Sequence, residues 1–170
     1  RSSWSNADEG YILLSNNSSN IKNWTKISLP VGPFGFDKNK YNHAVAGDIN
    51  NDGYIDVVVA ITRDLPYYEG AYVQILLNNG AGELVDVTES SFPDQPRSDT
   101  HHGEGNIYLR DMNLDGNLDI VHSTRDYNSG YHGSHIAIND GMGNFTSIEN
   151  SKLPDKPDPG YNNYDYLMKA

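Results

Sequence analysis

Two nine-residue stretches carry most of the chemistry in this chain: Asp48-Ile-Asn-Asn-Asp-Gly-Tyr-Ile-Asp56 and Asp111-Met-Asn-Leu-Asp-Gly-Asn-Leu-Asp119. In each, oxygen-bearing side chains stand at positions one, three, five and nine, and a glycine follows position five where the chain must turn. The first set is Asp48, Asn50, Asp52 and Asp56. The second is Asp111, Asn113, Asp115 and Asp119. Position seven, Tyr54 or Asn117, can add its backbone carbonyl whatever its side chain. An all-oxygen cage of this kind suits a hard cation with flexible coordination, and six to eight oxygens at about 2.3–2.6 Å suit Ca²⁺ better than the rigid octahedron of Mg²⁺. Three carboxylates within nine residues also repel one another unless a cation lies between them. An EF-hand begins in the same way but needs a glutamate at position twelve and helices on both sides. Position twelve here is Val59 or His122, and both flanks read as strands. A competing reading keeps the loops as metal-free Asx turns, because Asn and Asp favour turns in any case. Duplication of every liganding position favours the cation, so Ca²⁺ is the expected cofactor.

The loops belong to a longer repeat. They begin 63 residues apart, at 48 and 111, and an apolar run follows each, Val57–Ile61 and Ile120–Val121. The tripeptide Thr62-Arg-Asp64 recurs as Thr124-Arg-Asp126. A loop rich in Tyr and Gly comes next, then Val73–Gly80 or His135–Gly141, then Glu83–Val87 or Asn144–Ile148. The pattern reaches both ends: Tyr11–Asn17 and Trp24–Ser28 match the third and fourth elements, and Tyr164–Ala170 matches the first, Tyr41–Gly47. Each unit reads as four short strands, because apolar runs of four to six residues are bounded by Asn-Gly, Asp-Gly and Pro and nowhere keep a helical period. Asn79-Gly80 and Asp140-Gly141 mark hairpins, since both residue types tolerate positive φ. The expected fold is all-β, a β-propeller segment of four-stranded antiparallel blades, with about two and three-quarter blades present. Residues 1–29 supply a partial blade (third and fourth strands). Residues 30–92 form a full blade with loop 48–56, 93–153 a full blade with loop 111–119, and 154–170 the first strand of a further blade.

These features resemble the FG-GAP/VCBS repeat family, the integrin-α-like propellers with calcium loops in their blades. In that family the aspartate loop joins the first and second strands of a blade. The resemblance implies side-chain ligands Asp48, Asn50, Asp52 and Asp56 with the Tyr54 carbonyl, and Asp111, Asn113, Asp115 and Asp119 with the Asn117 carbonyl. Asn replaces Asp at the second liganding position of both loops. One Phe-Gly pair, Phe34-Gly35, is present and Gly-Ala-Pro is absent.

Composition narrows the partners. Across 170 residues the chain carries 12 basic and 23 acidic side chains, a net charge of −11, which disfavours nucleic acid and anionic membranes. No segment approaches the roughly 18 apolar residues of a membrane span, so no membrane insertion is expected. There is no cysteine, hence no disulfide framework and no thiolate chemistry. Apolar residues make up 36% and aromatics 11%, with 12 tyrosines. Many aromatics fall in the loops on the side of the blade opposite the aspartates: Trp4, Phe34, Phe36, Tyr67, Tyr68, Tyr127, Tyr131 and Tyr161. Aromatic rings with polar handles, set among Asn, Asp and His, suit carbohydrate or protein ligands. Trp4, Tyr67, Tyr68, His101, His102, Tyr127 and Tyr131 are the candidate ligand-binding residues.

The sequence therefore describes an extracellular, calcium-stabilised binding or adhesion module for glycan or protein ligands. The enzymatic alternative, part of a secreted polysaccharide lyase or hydrolase, would draw on His101, His102 and Glu104, or on Asp64 and Asp126. No Gly-x-Ser-x-Gly elbow, phosphate loop or His-Glu-x-x-His supports it, and no catalytic residue is assigned. A structural subunit of a surface assembly is a third reading. Glycosylation is permitted at four sequons, Asn16, Asn17, Asn23 and Asn144. A closed propeller needs roughly four to eight blades. The missing strands are therefore expected from remaining blades of the same protein or from a neighbouring chain.

Overall fold

A computed structural model describes residues 10–15, 18–35, 38–63, 69–95, 98–102, 104–125 and 132–148. Among the described residues the architecture is all-β: three antiparallel sheets with one turn of α-helix and one short 3-10 turn. Strands β1 (Tyr11–Leu14) and β2 (Thr25–Ser28) form a hairpin. A second sheet takes β3 (Asn39–Gly47), β4 (Asp56–Arg63), β5 (Glu69–Asn78) and β6 (Leu84–Asp86) in sequential order. A helical turn, α1 (Thr88–Ser91), and a short strand, β7 (Ser98–His102), lead to the third sheet. That sheet is β8 (Glu104–Arg110), β9 (Asp119–Arg125), β10 (His132–Asn139) and β11 (Phe145–Ile148), again in sequential order. Two four-stranded meanders in series are the architecture expected of propeller blades.

Burial explains why β4 reads as a continuous apolar run rather than an alternation. Asp56 to Thr62 are all buried, because both faces of this sheet are covered. On one face Val58, Ala60, Val73 and Ile75 pack with Ile107, Leu109, Ile120, Ala137 and Phe145 of the third sheet. On the other, Val57, Val59, Ile61, Tyr72 and Leu76 pack with Ile12, Leu29, Phe34, Tyr41 and Leu84. The sheets thus stack face to face. The edge strands β3 and β8 also meet, and His43 Nδ1 accepts the Ile107 N–H at 3.0 Å while its ring meets Tyr108 edge-on.

The link between the two sheets departs from the sequence reading. Residues 93–106 carry no alternating apolar pattern of a strand, but Ser98–His102 form β7 and pair with β5, Glu69 opposite His102 and Ala71 opposite Ser98, and β8 already begins at Glu104. The cause lies in the length of β6. It has three residues and covers only Leu76–Asn78 of the ten-residue β5. The rest of that edge needs partners, since a buried N–H or C=O left bare costs as much as a lost hydrogen bond. Thr88 Oγ1 accepts from Ile75 N (2.8 Å) and Val87 N donates to Ile75 O (3.0 Å). The Gln95 carboxamide then stands in for a strand residue. Its Oε1 accepts from Val73 N (3.0 Å) and its Nε2 donates to Val73 O (3.2 Å). Pairing with β7 completes the edge.

A buried histidine in the third sheet gives the fold an acid sensitivity. Burial, with the neighbouring His135 adding to it, lowers the His122 pKa from 6.5 to about 3. Burial also lowers that of His135. The unfolded chain takes up a proton near pH 6.5 and the folded chain does not, so stability is complete above that pH and falls as acid is added. The loss at pH 5 is about 2 kcal/mol for His122. Urea midpoints measured between pH 7 and 5 should fall accordingly, and His122→Gln should flatten the slope. A wild-type midpoint that holds constant to pH 5 would contradict this assignment.

Candidate metal centres

Both aspartate loops lie at the same end of their sheets, between β3 and β4 and between β8 and β9, which is where the sequence placed them. Asp48 receives two backbone N–H groups: Asp52 N on Oδ1 (3.1 Å) and Gly53 N on Oδ2 (2.9 Å). Asn50 Oδ1 accepts the same Asp52 N (3.2 Å), and its Nδ2 donates to Asp52 Oδ2 (2.9 Å). Asp52 Oδ1 accepts from Tyr54 N (2.8 Å). Asp56 closes the loop from the sheet side, with Oδ2 accepting from Ile49 N (3.0 Å) and Oδ1 from Asn78 N (2.9 Å). The second loop repeats every bond. Asp111 accepts from Asp115 N (3.1 Å) and Gly116 N (2.9 Å). Asn113 accepts from Asp115 N (3.1 Å) and donates to Asp115 Oδ2 (2.8 Å), and Asp115 accepts from Asn117 N (2.8 Å). Asp119 accepts from Met112 N (2.7 Å) and Asn139 N (2.9 Å). Corresponding distances differ by at most 0.3 Å.

Loop conformation follows from the residue types. Gly53 and Gly116 hold φ of 89° and 92°, which glycine adopts without a Cβ clash. Position four is also left-handed, at φ 58° for Asn51 and 63° for Leu114. Asn tolerates that region, whereas an ordinary L-residue there costs about 1–2 kcal/mol. Leu114 is 89% exposed, so little packing offsets the strain. Leu114→Asn is therefore expected to stabilise the protein by about 1 kcal/mol, raising Tm by roughly 2–4 °C. A lower melting temperature for the variant would contradict it.

The two loops are tied together. Asn51 Nδ2 donates to Asn117 Oδ1 (3.1 Å) and Gly141 O (3.0 Å). Asn139, fully buried, donates from Nδ2 to Ile49 O (2.7 Å) and Leu118 O (3.0 Å), one carbonyl from each loop. Sequence reading missed this bridge. Its signal was the Asn that precedes each hairpin, Asn78 and Asn139, both of which also accept from the glycine two residues on.

Electrostatics distinguish the positions. Burial raises the Asp56 pKa above its ordinary value, the N–H groups of Asn78 and Ile49 oppose that rise, and the charges of Asp52 and Asp48 add to it. The Asp115 pKa is lowered, first by the Asn117 N–H and then by the Asn113 side chain. The donors fit a hard cation in kind: three carboxylates, a carboxamide and a carbonyl in each loop. Among the described residues, no three acidic or histidine side chains converge as a ready metal cluster. The third carboxylate of each loop is turned into the sheet, where both its oxygens hold backbone N–H groups.

Trp4, Tyr67, Tyr68, Tyr127 and Tyr131 lie outside the described residues. His101 and His102 occupy β7, so their backbone is strand rather than loop, and their side chains also lie outside what is described. Position twelve of each loop falls within β4 (Val59) or β9 (His122), consistent with rejection of an EF-hand.

Comparison with known protein families finds a match to the FG-GAP-like repeat over residues 48–122. The matched stretch opens on Asp48 and contains both aspartate loops. Its class is that of repeats that build β-propeller-like folds, in agreement with the stacked antiparallel sheets. No curated protein and no solved structure gives a significant match.

Proposed function

We propose that this chain is a calcium-stabilised β-propeller module, working outside the cell, that recognises glycan or protein ligands. The observation that carries the reading is the duplicated loop: two copies of one oxygen-rich hydrogen-bond pattern, each set where one strand of a sheet turns into the next. In this reading Asp48, Asn50, Asp52 and the Tyr54 carbonyl, closed by Asp56, hold one Ca²⁺. Asp111, Asn113, Asp115 and the Asn117 carbonyl, closed by Asp119, hold the other. The ion supplies positive charge where the carboxylates of each loop repel one another. Each carboxylate oxygen keeps a second lone pair beside the N–H it accepts, so the backbone pattern and the ion are compatible.

Calcium modules of extracellular type work at about 10⁻⁴–10⁻³ M ion, a level met outside cells. That supports a secreted or cell-surface location. The aspartate loops precede β4 and β9, so the far ends of those strands, Arg63 and Arg125, lie at the opposite end of the sheets. Tyr67, Tyr68, Tyr127 and Tyr131 follow those ends in sequence, and with Trp4, His101 and His102 they are the proposed ligand contacts. Remaining blades of the same protein or a neighbouring chain complete the ring. A glycan array, probed with and without chelator and with Tyr67→Ala and Tyr131→Ala, tests the reading. Calcium-dependent glycan binding lost in the variants is expected. Binding that survives both chelator and variants would overturn it.

A further inference from the structure

We propose that the two aspartate loops bind Ca²⁺ cooperatively, coupled by Asn139 and Asn51 as positioning residues that reach across the seam between the sheets. Coupling rests on the calcium reading above and adds that the two sites act as one unit. The inner link is an unbroken run of hydrogen bonds from one closing carboxylate to the other. Asp119 Oδ1 accepts Asn139 N (2.9 Å), Asn139 Nδ2 donates to Ile49 O (2.7 Å), and Ile49 N donates to Asp56 Oδ2 (3.0 Å).

Asn139 suits the task because its carboxamide is fully used. The second Nδ2 hydrogen goes to Leu118 O (3.0 Å), and Oδ1 accepts from Gly141 N (3.0 Å) and Gly143 N (3.2 Å). Two donated and two accepted bonds exhaust an amide side chain. At 1% exposure, a bond lost here is not replaced by bulk water. The outer link runs from Asn51, between ligand positions Asn50 and Asp52, to Asn117 Oδ1 (3.1 Å) and Gly141 O (3.0 Å). Asn117 itself stands at position seven of the second loop. Packing leaves little slack: a Cβ on Gly47, next to Asp48, would lie 2.8 Å from Leu118 Cδ1. Asn78 holds the matching place in the earlier sheet, and among the described residues its Nδ2 reaches only its own loop, at Ile55 O (3.2 Å).

The Asn139 carboxamide makes all its bonds only while the carbonyls of both loops are held in place. An ion that fixes one loop therefore orders part of the other, and the second ion meets a smaller ordering cost. Two sites, two loop states and a shared bonded residue are what a coupling free energy requires.

Calorimetric titration of Ca²⁺ into the whole chain reads the coupling. In the wild type the second ion is expected to bind at least about fivefold tighter than the first, statistical factors removed. Asp52→Ala and Asp115→Ala should each bind a single ion with the weaker constant. Asn51→Gly keeps the left-handed backbone and every ligand but removes the outer link, so its two constants should draw together. Amide exchange gives a second readout. In Asp52→Ala, Ca²⁺ taken up by the second loop should slow exchange at Ile49 N–H in the first. Asn139→Ala should abolish that slowing, and because its site is buried and the variant can fail to fold, Asn51→Gly and the Ile49 amide decide the matter. Two equal constants in the wild type, or an Ile49 amide indifferent to calcium in Asp52→Ala, would overturn the coupling and leave the calcium reading standing. A wild-type chain that binds no calcium would overturn both.

Discussion

Asp56→Ala is expected to cost about 2–5 kcal/mol even with chelator present. Its carboxylate has no solvent exposure and accepts two backbone N–H groups, Ile49 at 3.0 Å and Asn78 at 2.9 Å. Each buried donor stripped of its acceptor costs about 1–3 kcal/mol. Against a total stability of about 5–15 kcal/mol, that is a large fraction. Asp119→Ala should behave alike, since Met112 N and Asn139 N depend on it in the same way. Asp56→Asn keeps one acceptor oxygen and should lose roughly half as much. Urea unfolding in chelator measures all three. A loss that appears only when calcium is present would mean that Asp56 acts solely as a ligand and that its backbone role is idle.

A second large effect is expected from chelator, on the proposal that both aspartate loops hold Ca²⁺. Saturating an ion site at a hundred times its dissociation constant adds about 2.7 kcal/mol. For a chain of this size each kcal/mol moves Tm by roughly 2–4 °C, so each site should raise it by roughly 5–10 °C. Chelator should lower the melting temperature accordingly. Ca²⁺ should restore it, and Mg²⁺ should do so poorly, because it resists giving up its waters. Asp52→Ala together with Asp115→Ala should remove the calcium response, since both carboxylates sit at the exposed middle of their loops. A melting temperature indifferent to chelator would contradict the calcium reading.

Much of this was legible in the sequence because the repeat is written in residue types with strong local preferences. The Asp, Asn and Gly of each loop mark a turn by chemistry alone, and the apolar runs after Asp56 and Asp119 mark buried strands. What escaped depends on contacts across the fold. Ser98-Asp-Thr-His-His102 has no apolar alternation, so nothing local announces β7. It is a strand because the three-residue β6 pairs with only three of the ten residues along that edge of β5. Gln95 looks like any loop residue until its carboxamide is seen paired with the Val73 backbone. Asp56 and Asp119 were legible as oxygen donors, but their hold on the Asn78 and Asn139 N–H groups spans 22 and 20 residues, and no spacing rule reveals it. His122 and His135 stand thirteen residues apart, and only the register of β9 with β10 makes them neighbours.

Calorimetric titration of Ca²⁺ into the calcium-free chain tests whether both aspartate loops bind the ion. Two ions per chain are expected, one in Asp52→Ala or Asp115→Ala, and none in the double variant. Zero stoichiometry in the wild-type chain, or two ions still bound by the double variant, would contradict it.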